Sequence, residues 1–368
     1  MNKITLSLTI TFLLIYNLSI AQKSPIDVHG FNKTLQLEEL LTPIDLQSEI
    51  FLIQRATSDD KHLFVFNDKE SPAIKAYRLS DGKYVGGFGS MGQGPGEFDG
   101  FNRGAFNARK GQLVTQDRKY VRVYDVLDSN GQLEFEKIKE VRMPTELGIV
   151  NRGMLVNDDL YGGSIMLTEK DFVTFPLSEM SIEAHNQSVG SFGDYPQDYP
   201  EIPSTAYYHL YQGQVSYAYD GEALVRSYSR VPLMRLFSLP DGGYKDIRLK
   251  PKNRQIKNLE PDPRGRSIQN GIQMLSYFSG VKLGMSYIVA EYQESKFEKV
   301  EMSAMGNSQR VPLTDKFLLV FSREGDLLAK LSPPEWLEQY HVTPDNRLIV
   351  FHPEISDQLF MVDLNQFK

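Results

Sequence analysis

Three observations predict an all-β chain folded as a six-bladed β-propeller with four antiparallel strands per blade. An alternating hairpin recurs along the sequence, helical periodicity is scarce, and Gly, Pro, Tyr and Phe are frequent while Trp occurs once. Such a composition suits many short strands joined by turns.

The hairpin is an alternating apolar segment, a turn with Asp, Asn or Glu beside Gly, and a second alternating segment. It reads IKAYRLSDGKYVGGF at 74–88, VRVYDVLDSNGQLEFEKI at 121–138, PLMRLFSLPDGGYKDIRL at 232–249 and KFLLVFSREGDLLAKL at 316–331. Gly82, Gly131, Gly242 and Gly325 are placed to supply the positive φ that a tight hairpin turn requires. Degenerate copies stand at 172–192 and 358–364. The last apolar residues before the turns, Leu79, Val126, Leu177, Leu239, Val320 and Leu364, are spaced by 47, 51, 62, 81 and 44. A further strand pair precedes each copy, as in HLFVFND at 62–68, QLVTQD at 112–117 and RLIVFHP at 347–353. The wide fourth step marks an insertion around 250–310.

The last copy runs out at Lys368 before its partner strand. An N-terminal segment, 26–34 or 35–41, is therefore expected to supply the outermost strand of the final blade and close the ring. Only 35–41 and 334–340 could form a turn or two of helix. No Pro/Ser-rich linker divides residues 22–368, which read as one domain.

Residues 1–21 read as a signal peptide: Lys3 precedes an uncharged apolar run from Ile4 to Ile20 that ends in Ser19-Ile20-Ala21. Export, to the periplasm or beyond the cell, is expected, with no membrane insertion after cleavage. The absence of cysteine rules out disulfides and thiolate chemistry. A formal charge of −7 gives no reason to expect nucleic acid as a partner.

The glycines of KYVGGFGSMGQGPGEF at 83–98 satisfy G-x-G-x-x-G at Gly87, Gly89 and Gly92. That fingerprint needs its last glycine to open a helix facing a pyrophosphate. Here Gly92 leads into Gln93-Gly94-Pro95-Gly96, where two glycines and a proline cost a helix about 5 kcal/mol. No Lys-Ser/Thr pair follows for a phosphate loop. Gly94-Pro95-Gly96-Glu97 suits a type II turn instead, and VGSFGDYP at 189–196 repeats VGGFGSMG at 85–92.

The blade-ending pattern G-x-x-G-x-G-P-G-E-F, carried by Gly89, Gly92, Gly94, Pro95, Gly96, Glu97 and Phe98, together with the six-fold hairpin repeat, resembles the TolB-like and NHL-like six-bladed propellers exported by Bacteroidota. The resemblance extends over nearly all of residues 22–368. It implies the propeller fold and export. Many members of that family have no assigned activity.

No catalytic constellation stands out in the sequence. The six histidines, His29, His62, His185, His209, His341 and His352, show no ligand spacing, and neither H-E-x-x-H nor G-x-S-x-G occurs. Glu335 with Glu338 and Asp59 with Asp60 read as solvated surface. Tyr207, Tyr208, Tyr211, Tyr217 and Tyr219 could stack on a sugar ring or pack within the fold.

Topology gives a stronger lead. Connections from an outermost strand to the next innermost strand share one face of a propeller, and the segments 90–103, 193–209 and 250–273 fall in that class. The last carries Lys252, Arg254, Lys257, Arg264 and Arg266. Gln93, Glu97, Arg103, Tyr207, His209, Arg264 and Arg266 are the expected ligand-binding residues. No catalytic residue and no protein metal ligand is assigned.

The leading expectation is a non-catalytic binding module for a glycan, peptide or envelope protein that needs no cofactor. A likeness to six-bladed lactonase-like enzymes implies an alternative: a hydrolase or lyase holding Ca²⁺ or Zn²⁺ in the central channel on Glu, Asn and Asp from several innermost strands.

Overall fold

The computed structural model of the chain describes residues 24–50, 53–94, 97–100, 106–143, 151–164, 170–178, 191–200, 202–239, 242–253, 275–299 and 308–368. The expected signal peptide lies outside them. No described helix is long and apolar enough to cross a membrane.

Two short N-terminal strands, β1 (Thr34–Gln36) and β2 (Thr42–Asp45), precede the first blade. Blade one is β3 (Arg55–Ser58), β4 (His62–Phe66), β5 (Ile74–Arg78) and β6 (Tyr84–Phe88), hydrogen-bonded in that order. Blade two is β7 (Phe106–Arg109), β8 (Gln112–Gln116), β9 (Tyr120–Ser129) and β10 (Gln132–Arg142). Blade three is β11 (Asn151–Leu155), β12 (Leu160–Ser164), β13 (Lys170–Pro176) and β14 (Ser191–Asp194). Blade four is β15 (Gly213–Tyr217), β16 (Ala223–Tyr228), β17 (Leu233–Ser238) and β18 (Tyr244–Arg248). Blade five runs through β19 (Ser276–Leu283), β20 (Tyr287–Lys299), β22 (Phe317–Ser322) and β23 (Leu327–Ser332), with β21 (Ser308–Pro312) paired to the far end of β20. Blade six is β24 (Gln339–Val342), β25 (Arg347–Phe351), β26 (Gln358–Asp363) and β2.

The repeated hairpins are the third and fourth strands of their blades. Gly82, Gly131, Gly242 and Gly325 adopt φ of 66°, 81°, 73° and 79°, the left-handed region reserved for such turns. Apolar side chains form layers between consecutive sheets rather than one central core. Leu113 and Phe135 with Phe64 and Phe66 fill the joint of blades one and two, and Leu224 and Phe237 with Met154 and Phe172 that of three and four. Middle strands therefore bury both faces, as β4 and β16 do along their whole length.

An N-terminal strand closes the ring, but not one of the expected segments. β2 is the antiparallel outermost strand of blade six, with Thr42 opposite Met361 and Asp45 opposite Gln358. The apolar run at 35–41 instead plugs the joint of blades five and six, where Leu37 is fully buried. Pro43 obscures β2 in the sequence, yet an outermost strand uses one edge only and accommodates proline there. The rest of the segment straps further blades: β1 adds a parallel fifth strand to blade five beside β23, and Ile26 pairs with Leu249 at the edge of blade four.

Of the two segments that could form a turn or two of helix, 35–41 holds the 3-10 turn Glu38–Leu40 and 334–340 forms no helix. A single turn closed by Leu337 N–H donating to Pro334 O (3.1 Å) leads into β24. The only α-helix among the described residues is Tyr207–Leu210, in the connection between blades three and four.

Candidate functional site

The innermost strands of all six blades enclose a central channel of about 400 Å³. Consecutive innermost strands are not paired through their backbones, and side chains stitch several of the joints. Thr57 Oγ1 on β3 accepts from Ala108 N on β7 (2.9 Å), and Asn107 Nδ2 donates to Gly153 O on β11 (3.3 Å). Ser216 Oγ on β15 accepts from Leu283 N on β19 (2.9 Å).

At the joint of blades six and one the stitch joins Ser58 Oγ to His341 Nε2, 2.8 Å apart. A serine against an imidazole in a channel is also the geometry of an activated nucleophile. The rest of the arrangement opposes that chemistry. His341 is pushed down to about 3 by burial, with the positive charge of Lys282 adding to the effect, so it is a weak base at neutral pH. Its Nδ1 is buried without a hydrogen-bond partner, so no carboxylate orients the ring. Ser58 is itself buried, and its bond occupies the same structural role as those of Thr57 and Ser216.

The basic side chains of the channel are gathered on one side. Arg55 on β3 and Lys282 on β19, with the neutral His341 on β24, come from blades one, five and six, which are consecutive in the ring, and Glu291 and Glu338 line the same side. The opposite wall, with Asn107, Gly153, Gln214 and Ser216, is neutral. Burial pushes Lys282 down to about 8, and the Arg55 charge adds to the effect. Gly280 leaves room at the wall: a Cβ there would stand 2.8 Å from the Tyr340 hydroxyl and 3.4 Å from Glu291 Oε2. Gln214 and Ser279 also line a neighbouring cavity of about 260 Å³ beside Arg310, whose Nε donates to Ser295 Oγ (2.6 Å).

The three long connections are described only in part: 95–96, 101–103, 201 and 254–273 lie outside the described residues. Arg103, Arg264 and Arg266 lie outside the described residues. Gln93 is exposed in its turn. Glu97 is turned back toward Gly94: its Oε2 accepts from Gly94 N (2.7 Å), and its backbone N–H donates to Gly94 O (3.1 Å), while Pro95 and Gly96 of the turn read from the sequence lie outside the described residues. A Cβ at Gly92 would stand 1.9 Å from that carboxylate, so the glycine makes room for it.

The tyrosine cluster divides. Tyr207 and Tyr211 are buried with Tyr195 and Tyr228 beneath the connection, ring against ring, with Tyr195 stacked on Tyr211 at 5.6 Å. Tyr217 and Tyr219 line the channel. Tyr208 and His209 are partly exposed on the short helix, and His209 Nδ1 lies 3.4 Å from Gln212 Nε2.

Arg55, Lys282 and His341 were not singled out as a site by sequence. The signal is a charged or polar residue inside the short apolar segment two strands upstream of each hairpin turn, as Lys282 is in SGVKLG.

No family model matches the chain, and no curated protein does. Among solved structures it is similar to a member of the DUF4221 family from Bacteroides vulgatus, at 12% identity and a TM-score of 0.54, over 88% of this chain and 95% of that one. A calcium-binding protein from Agrobacterium tumefaciens, regucalcin, matches at 10% identity and a TM-score of 0.43 over 90% and 95% of the two chains. These likenesses are at the level of the fold.

Proposed function

We propose that the chain is an exported, non-catalytic binding propeller of the TolB-like and NHL-like kind, which takes a glycan or peptide through the loop-rich face into its central channel. One observation carries this reading: an open channel ringed by all six innermost strands whose only nucleophile-like pair among the described residues, Ser58 with His341, is arranged as a joint rather than as a reactive group. A rigid scaffold with a concave polar centre and long loops at its mouth is suited to binding.

The lactonase-like alternative requires carboxylates converging in the channel. The innermost strands supply Arg55, Lys282 and His341 instead, while Glu291 comes from a second strand. No group of three metal-ligating side chains converges among the described residues. Two cations in a confined space repel a divalent metal ion, so this donor set does not fit one.

The reading is tested with Ser279→Trp, which fills the channel from a partly buried position on β19. Ligands found by a thermal-shift screen of oligosaccharides and peptides are expected to lose binding to this variant while its circular dichroism is unchanged. Undiminished binding would move the site out of the channel.

A further inference from the structure

The three most deeply buried arginines of the blade joints each have a carboxylate against the guanidinium. Arg122 meets Asp117 and Glu140, Arg226 meets Asp171, and Arg235 meets Asp246. Lys282 has no such partner: among the described residues no carboxylate lies within ion-pair distance of its ammonium group. The charged and titratable groups lining the channel with it are Arg55 of β3, Tyr340 and His341 of β24, Glu291 of β20, Tyr217 of β15 and Tyr219 just after it, with Glu338 exposed at the mouth. An enclosed charge without a counter-charge is costly, and the fold retains one where an anion can reach it.

We infer that the channel holds the single carboxylate of a small hydroxylated ligand, with Lys282 as its charge partner. The inference rests on the channel being the binding site and names the class of ligand. Lys282 is a single charge without a counter-charge among the described residues, which matches one carboxylate better than a phosphate dianion. Gln214, Ser279 and Gln339, amide and hydroxyl groups of the innermost strands, are available to hydroxyls on the rest of the ligand. A space of about 400 Å³ lies near the small end of ligand pockets, where a monosaccharide-sized acid fits.

The test is calorimetric titration of the purified protein with sodium glucuronate, glucose and inorganic phosphate. Glucuronate is expected to bind, to weaken at least tenfold in Lys282→Met, and to retain most of its affinity in Lys282→Arg. At about pH 9, where free Lys282 is mostly neutral, binding is expected to take up a proton, seen as a dependence of the heat on buffer ionisation. Circular dichroism and melting of Lys282→Met, which loses only an unpaired charge, check that it folds.

Equal binding of glucuronate by wild type and Lys282→Met would overturn the inference, as would phosphate binding as tightly with the same dependence on Lys282. Glucose binding as well as glucuronate, with loss in Ser279→Trp, would overturn the anion assignment while leaving the channel as the site. Glucuronate binding undiminished in Ser279→Trp would overturn both.

Discussion

Arg226 and Lys282 are both basic side chains enclosed by the same ring of blades, and the fold treats them oppositely. Arg226, between blades three and four, is 2% exposed. Its Nη1 lies 2.8 Å from Asp171 Oδ1, and the other carboxylate oxygen accepts from Tyr228 OH at 2.6 Å. Lys282 faces the channel with Arg55 nearby and, among the described residues, no carboxylate in reach. The joint charge is complete within the chain. In the proposed reading the channel charge is completed by an anion from outside, and this difference would separate a structural ion pair from a binding group.

The comparison is broken most severely at Asp171. Asp171→Ala leaves Arg226 enclosed and unpaired, and is expected to lower unfolding free energy by about 3–5 kcal/mol in denaturant titration. A loss below about 1 kcal/mol would place the pair among surface-like bridges. Asp246→Asn, at a more open joint where Arg235 Nε is bonded at 2.6 Å, should cost less, about 1–3 kcal/mol.

At Lys282 the sign reverses. Lys282→Met removes an uncompensated charge, so stability at neutral pH is expected to stay level or rise by about 1 kcal/mol. The pH dependence sharpens this. Between about 8, where Lys282 loses its proton in the folded protein, and 10.5, where it does so unfolded, the unfolded chain binds the extra proton. Stability contributed by this residue therefore rises with pH through that window, and the rise disappears in Lys282→Met. A wild-type contribution that falls over the same window would mean that an acidic partner holds the lysine charged.

The smallest effect is expected at Ser58. Ser58→Ala removes one stitch, worth about 1 kcal/mol. It should leave glucuronate affinity within about twofold, equivalent to about 0.4 kcal/mol. A fluorophosphonate reagent should fail to label wild-type Ser58. Rapid labelling would make His341 an effective base and revive the hydrolase reading.

Much of the fold was legible because hairpin chemistry is local. A turn such as Asp81-Gly82 states its own geometry, and its repetition counts the blades. The closing strand was less legible, since Pro43 argues against a strand until its outermost position is known. The channel was hidden for a different reason. Ser58 and His341 meet across 283 residues, and nothing near either announces the other. The loop residues were conspicuous by composition, but Glu97 and Tyr207 are engaged by their own surroundings, a carboxylate folding its turn and a ring packing on other rings.

The most direct measurement is the titration of the Lys282 ammonium group, followed by NMR of selectively labelled lysine with Lys282→Met assigning the signal. Titration near 8 in the free protein, moving upward when glucuronate is added, is the predicted result. Titration near the ordinary lysine value of 10.5, unmoved by glucuronate, would contradict an uncompensated cation awaiting its anion.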